Sequence, residues 1–101
     1  MARQVEFHFL FDCDVHEAAD WYQQRSAGLG DTFVEDVWRC IDDVIADPER
    51  YGTLPSGCRH KRLSKFPYVL LYDLTDEDLL LLAVVHTARS PKKWNERLPD
   101  R

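Results

Sequence analysis

No stretch of this chain approaches the roughly 18 consecutive apolar residues that a membrane helix requires, and Met1 to Glu6 lacks the apolar run of a signal peptide. A cytoplasmic protein without a membrane segment is therefore expected. Cysteine is scarce as well. Cys13, Cys40 and Cys58 are odd in number, widely spaced and never in a CxxC pair, which argues against a disulfide framework or a structural zinc site. Cys58 and His60 would share one face of a strand, but two further ligands are missing nearby, so no metal is expected and free thiols are. No glycine-rich phosphate loop, Rossmann glycine pattern or Ser/His/Asp order occurs, so nucleotide-cofactor and hydrolase chemistry have no motif to stand on. The expected cofactor list is empty.

What the chain has is enough apolar material for one core. Its 101 residues, 45% hydrophobic, suit a single domain spanning 1–101. The net charge of −5 conceals an asymmetry: four basic residues face twelve acids through Gly57, whereas nine face six from Cys58 onward. A dipolar surface of this kind can offer different faces to different partners, although ordinary solvated faces account for most of the acids.

Val5, Phe7, Phe9 and Phe11 alternate with other residues at a period of two, which predicts a strand with one buried face, ended by Asp12-Cys13-Asp14. Asp14 with Glu17 three residues on has capping-box spacing and places a helix start near Val15. Val15, Ala18, Ala19, Tyr22, Ser26 and Leu29 then form one stripe, closed by Gly28 and Gly30. Asp31 can cap the second helix, whose Phe33, Val34, Val37, Trp38, Ile41, Val44 and Ile45 follow helical spacing up to Asp47-Pro48. Two helices joined so tightly form an antiparallel hairpin. A loop through Gly57, with room for one helical turn at Pro48 to Tyr51, leads to a strand over 59–65. Phe66-Pro67 interrupts, Tyr68 to Tyr72 resumes, and after the polar turn Thr75 to Asp78 comes the apolar run Leu79 to Val85, suited to a central strand covered on both faces. Short connections make these three strands an antiparallel meander, and Ser90-Pro91 opens a short tail helix from Lys92 to Leu98. The expected fold class is α+β, ordered β-α-α-β-β-β, with a helical hairpin on a mostly antiparallel sheet.

Chemistry, if present, gathers after Cys58. Arg59, Lys61 and Lys65 share a strand face with Leu63; three unpaired cations are costly to bury, so that face is expected to be open. With Tyr68 or Tyr72 beside it and Arg89 past the last strand, it forms a cationic surface with aromatic edges, which suits phosphate oxygens and an unpaired base. The same cations also serve an exposed sheet edge by blocking aggregation, and tyrosines and tryptophans commonly act as packing anchors. His86, following an apolar strand, either satisfies a backbone group or moves protons, the latter requiring a nucleophile within hydrogen-bond reach.

Taken in order, Ala18-Ala19-Asp20-Trp21-Tyr22, Gly28-Leu29-Gly30-Asp31-Thr32-Phe33, Asp47-Pro48-Glu49-Arg50-Tyr51, Phe66-Pro67-Tyr68 with Tyr72, and Leu82-Ala83-Val84-Val85-His86 with Arg89, Pro91 and Trp94 make a recognisable pattern. The chain resembles the RelE/ParE superfamily of toxins from bacterial type II toxin-antitoxin modules, which includes plasmid stabilisation proteins. The resemblance covers nearly the whole length and implies the same β-α-α-β-β-β fold. It further implies a growth-inhibiting toxin neutralised by a cognate antitoxin whose C-terminal segment wraps around it. For the target it implies two branches: inhibition of DNA gyrase by binding, or metal-independent cleavage of ribosome-bound mRNA. The nuclease branch places an arginine after the last strand and a tyrosine in the tail. Here Thr87, Ala88 and Arg89 occupy the first place, and Trp94 the second, which is more similar to the ParE-like side. On that side the expected target-binding residues are Arg59, Tyr68, Tyr72, Arg89, Lys92 and Trp94. In the alternative, Lys61, Lys65, His86 and Arg89 form a nuclease set in which cations stabilise the developing charge and His86 moves protons. A third reading is an inactive relative that serves only as a protein-interaction module. The net acidity favours a protein target over RNA, because phosphate contacts dominate nucleic-acid affinity.

Overall fold

The computed structural model describes residues 3–88 and 91–99, and the chain runs β1 (Gln4–Phe7), α1 (Phe11–Arg25), α2 (Leu29–Ala46), β2 (Arg59–Arg62), β3 (Tyr68–Leu74), β4 (Asp78–His86) and α3 (Pro91–Arg97). The four strands form one sheet ordered β1-β4-β3-β2, in which β1 lies parallel to β4 and the other two pairings are antiparallel. This is the expected α+β architecture. The helical hairpin covers one face of the sheet, and α3 lies over part of the other.

The apolar period of α2 explains its place. Phe33, Val37, Ile41 and Val44 recur every three or four residues, so one stripe is fully buried against the sheet. The hairpin closes tightly for two reasons. Gly28 takes a positive φ of 87° as the residue preceding α2, and Gly30 approaches α1 so closely that a Cβ there would meet the Ala19 carbonyl oxygen at 2.7 Å. The first backbone donors of α2 are capped from α1: Gln23 Oε1 accepts the N–H groups of Gly28 and Gly30, each at 3.1 Å.

The run Leu79 to Val85 is the central strand its composition predicts, but it does not alternate simply. Leu71 pairs with Ala83 and Tyr72 with Leu81, so the register shifts and Leu82 is the extra residue of a β-bulge. Before the bulge Leu79 and Leu81 face the hairpin; after it Val84 does, while Leu82, Ala83 and Val85 join Val69, Leu71 and Cys58 on the opposite face. The bulge therefore turns the end of β4, including His86, toward the hairpin side.

Several boundaries differ from the sequence reading: β2 stops at Arg62 instead of continuing to Lys65, α1 stops at Arg25 so that Leu29 opens α2, Gly28 and not Asp31 is the N-cap of α2, and the first strand and helix meet elsewhere. The strand ends at Phe7 and the helix begins at Phe11, four residues before Val15. His8 to Leu10 form a turn: Phe11 N–H donates to the His8 carbonyl at 2.9 Å and Leu10 N–H to His8 Nδ1 at 3.1 Å. The period of two thus continues into a turn, where Phe11 goes to the core and Phe9 to solvent. Asp14 is consequently inside α1, and it caps something else.

Candidate functional site

Past Phe7 and its partner Leu81, β4 has no strand on its β1 side, so Leu82 to His86 would leave a bare edge there. Side chains occupy that edge. Asp14 Oδ2 accepts the Val84 N–H at 3.2 Å, and Arg97 donates to the Leu82 carbonyl at 3.0 Å. Arg97 and Asp14 meet through two parallel bonds of 2.7 Å each, both side chains buried, and Lys93 Nζ adds a third cationic contact to Asp14 at 3.0 Å. One carboxylate therefore fastens α1, β4 and α3 together. Sequence reasoning missed this cluster; its signal was a lone acid in an apolar helix stripe and a basic tail helix, with Asp14 and Arg97 83 positions apart.

Beside this clamp lies a cleft of about 180 Å³, walled by Trp21 and Tyr22 of α1, Tyr68 of β3, His86 of β4 and Lys93 of α3. Tyr68 and His86 are cross-strand partners, and their rings meet edge to face at 5.2 Å. Tyr68 continues into an aromatic cluster with Tyr22 and Phe33, and Phe66 joins it. His86 Nδ1 accepts the Ala88 N–H at 3.1 Å, so this histidine does satisfy a nearby backbone group.

The basic residues of β2 are placed differently from the open face expected for them. Leu63 is buried under the hairpin, and Arg59 and Lys61, of the same parity, lie along the hairpin's rim. Arg59 donates to the carbonyls of Glu49 and Tyr51 at 3.0 and 2.8 Å, closing the turn after α2. Lys61 has 17% of its side chain exposed and sits 3.8 Å from Asp43, with its ammonium over the Tyr51 ring. The cations are affordable there because they are paired. Lys65 is exposed, and its backbone N–H is anchored on buried Asp36 at 2.9 Å.

Tyr72 is fully buried; its hydroxyl donates to the Pro48 carbonyl at 2.6 Å, and burial pushes the phenol up to about 12. It offers a partner no surface. Trp94 packs with Leu98 on the second sheet face. Lys92 is exposed at the start of α3, 3.9 Å from Glu96, and Arg89 lies outside the described residues. Lys61 pairs with Leu70 and His86 with Tyr68, so the two are separated by β3, about 10 Å across the sheet. Tyr68, His86 and Lys93 come together; Lys61 and Lys65 do not join them. Among the described residues no group of three or more His, Cys, Asp or Glu side chains is arranged to hold a metal ion.

With that geometry in place, the comparison with known families is decisive. The family described as the ParE toxin of the type II toxin-antitoxin system parDE matches residues 5–91. The chain belongs to the ParE toxin family. It is a toxin of the type II toxin-antitoxin class, and the family implies an antitoxin partner. Among solved structures, a chain of the chromosomal ParDE toxin-antitoxin system from P. aeruginosa superimposes with a TM-score of 0.71, covering 84% of this ParE-family chain and 96% of that one. At 13% identity this is a likeness of fold. No curated relative matches the sequence. Among the described residues no helix is long and apolar enough to cross a membrane.

Proposed function

We propose that this ParE-family toxin acts by binding, with DNA gyrase as its target, and that a cognate antitoxin holds it inactive. The observation that carries this reading is the fate of the β2 cations. Arg59 and Lys61 are committed to the carbonyls, the carboxylate and the ring that close the α2 turn, and β3 separates Lys61 from His86. A nuclease needs its cations and its proton carrier around one phosphate, within hydrogen-bond reach. The surface at the end of β4 and the start of α3 carries the half-buried Tyr68 and His86 and the exposed Lys92, which serve as a docking rim. Arg59 and Tyr72 instead hold the loop after α2, and Trp94 packs on the second sheet face.

The test is a gyrase supercoiling assay run beside an mRNA cleavage assay with the purified chain. Inhibition of supercoiling with intact mRNA is expected, and Lys61→Met is expected to leave the inhibition unchanged in folded protein. Cleaved mRNA with unimpaired supercoiling would refute the proposal in favour of the ribonuclease. A chain that affects neither assay and does not arrest growth when expressed would refute it in favour of an interaction module.

A further inference from the structure

The turn that displaces the strand reading at Phe9 creates the least expected surface of the molecule. Phe9 is 82% exposed, Trp38 54% and Phe7 46%, and Val5, Leu10 and Ile45 are exposed nearby in the fold or along the same α2 stripe. Phe7 and Trp38 meet edge to face at 6.4 Å, which makes them one patch. Between them opens a cavity of about 480 Å³, floored by apolar side chains such as Phe11, Val15, Val37 and Ile41. The three exposed aromatics alone leave about 350 Å² in water at the usual size of such side chains. With the aliphatic neighbours, the patch reaches the upper end of what a monomer carries, roughly 300–600 Å².

Phe9 is not a loose side chain. The His8 imidazole accepts the Leu10 N–H, and the Phe9 ring stacks on it at 4.7 Å and 23°. The ring is held outward as a fixed knob at the lip of a hole on the same face. A knob beside its own kind of hole is self-complementary under a twofold axis: each copy's Phe9 can enter the other's cavity. The cavity is within the range of sites that enclose small ligands, so a phenyl ring fits. Of the residues that line the cavity, Asp12 is the one carboxylate; its Oδ2 lies 3.3 Å from His16 Nε2, so it has a partner within its own copy.

We propose that this face is an interface between two copies of the chain, with each Phe9 seated in the partner's cavity. The apolar patch plus a polar rim supplies area of the order of the ~800 Å² per partner of a standard interface. Fixing the anchor in advance removes part of the ordering cost of association. This goes beyond the toxin reading and stands independently of it.

The experiment is analytical ultracentrifugation of the full chain from about 1 to 100 μM, a range that brackets micromolar association. The expected result is a dimer that dissociates on dilution. Phe9→Glu, at a position that contributes nothing to the core, is expected to weaken self-association by roughly a thousandfold, since two anchors are lost per dimer. Its melting temperature is expected to stay that of the dissociated parent chain, and Asp76→Lys at the β3–β4 turn is expected to change nothing. A chain that sediments as one copy throughout overturns the proposal, as does a Phe9→Glu variant that associates like the parent. A one-copy chain whose antitoxin affinity collapses in Phe9→Glu would assign the face to the antitoxin instead.

Discussion

Replacing Arg97 by methionine tests whether α3 is latched to the fold through Asp14. Asp14 and Arg97 are 4% and 7% exposed, and their two 2.7 Å bonds lie where β4 has lost its neighbour. Removing one member of a buried pair costs about 3–5 kcal/mol, because the other charge remains without its partner. Lys93, 3.0 Å from the same carboxylate, compensates in part, which puts the expected loss near the lower limit, about 3 kcal/mol. For a domain of this size that lowers the melting temperature by roughly 15 °C and is a large share of a total stability of about 5–15 kcal/mol. Urea unfolding followed by circular dichroism measures it. The difference from the parent is expected to persist in 1 M salt, where exposed pairs such as Lys92–Glu96 are screened. The double variant Asp14→Leu with Arg97→Met is not expected to restore stability. It strips the Val84 N–H and the Leu82 carbonyl of their partners, at about 1–3 kcal/mol each. A loss below about 1 kcal/mol for Arg97→Met, the range of a surface pair, would refute the latch, and so would full recovery in the double variant.

Tyr72→Phe removes the hydroxyl's bond to Pro48 and is expected to cost about 1–2 kcal/mol by thermal melting. Because burial raises this phenol to about 12, the folded state favours its neutral form; the stability it contributes is complete below the ordinary value of about 10 and is lost as pH rises from there toward 12, a loss that Tyr72→Phe should abolish. Of the three thiols, only exposed Cys13 should react with a thiol reagent in the native state; Cys40, buried and pushed up to about 11, and buried Cys58 should wait for unfolding. Gly30→Ala should cost about 1–3 kcal/mol by urea unfolding, since its Cβ meets the Ala19 carbonyl backbone, whereas Gly28→Ala should cost about 1–2 kcal/mol, through its positive φ alone.

The parts of the fold that were legible in the sequence are those written in a single period. The α2 stripe, the stop at Asp47-Pro48, the apolar β4 run and the meander of short connections needed no information from elsewhere in the chain. The misread parts each depend on a partner distant in sequence or on a local break in periodicity. A period of two at Phe7, Phe9 and Phe11 does not reveal that His8 closes a turn in the middle. Asp14 with Glu17 has capping-box spacing, but nothing local announces that Arg97 needs that carboxylate. The bulge at Leu82 is hidden in a run where every residue is apolar, so the face on which His86 emerges could not be counted from Leu79.

The same reasoning explains where the cations of the second half of the chain lie. Charge on a strand was read as charge facing outward, because unpaired cations are costly to bury. That inference assumed no partners, and the partners lay in the acidic half: Asp43 for Lys61, Asp14 for Lys93 and Arg97, and the carbonyls of Glu49 and Tyr51 for Arg59. The sign asymmetry along the sequence is therefore partly consumed in holding the sheet to the helices and the tail to both. Of the three β2-side cations read as a phosphate-suited surface, Arg59, Lys61 and Lys65, only Lys65 stays exposed once Arg59 and Lys61 are subtracted. On the proposed binding reading, such a surface engages a partner through shape and apolar contact, and the aromatic clefts at Tyr68 and His86 and at Phe7, Phe9 and Trp38 offer both.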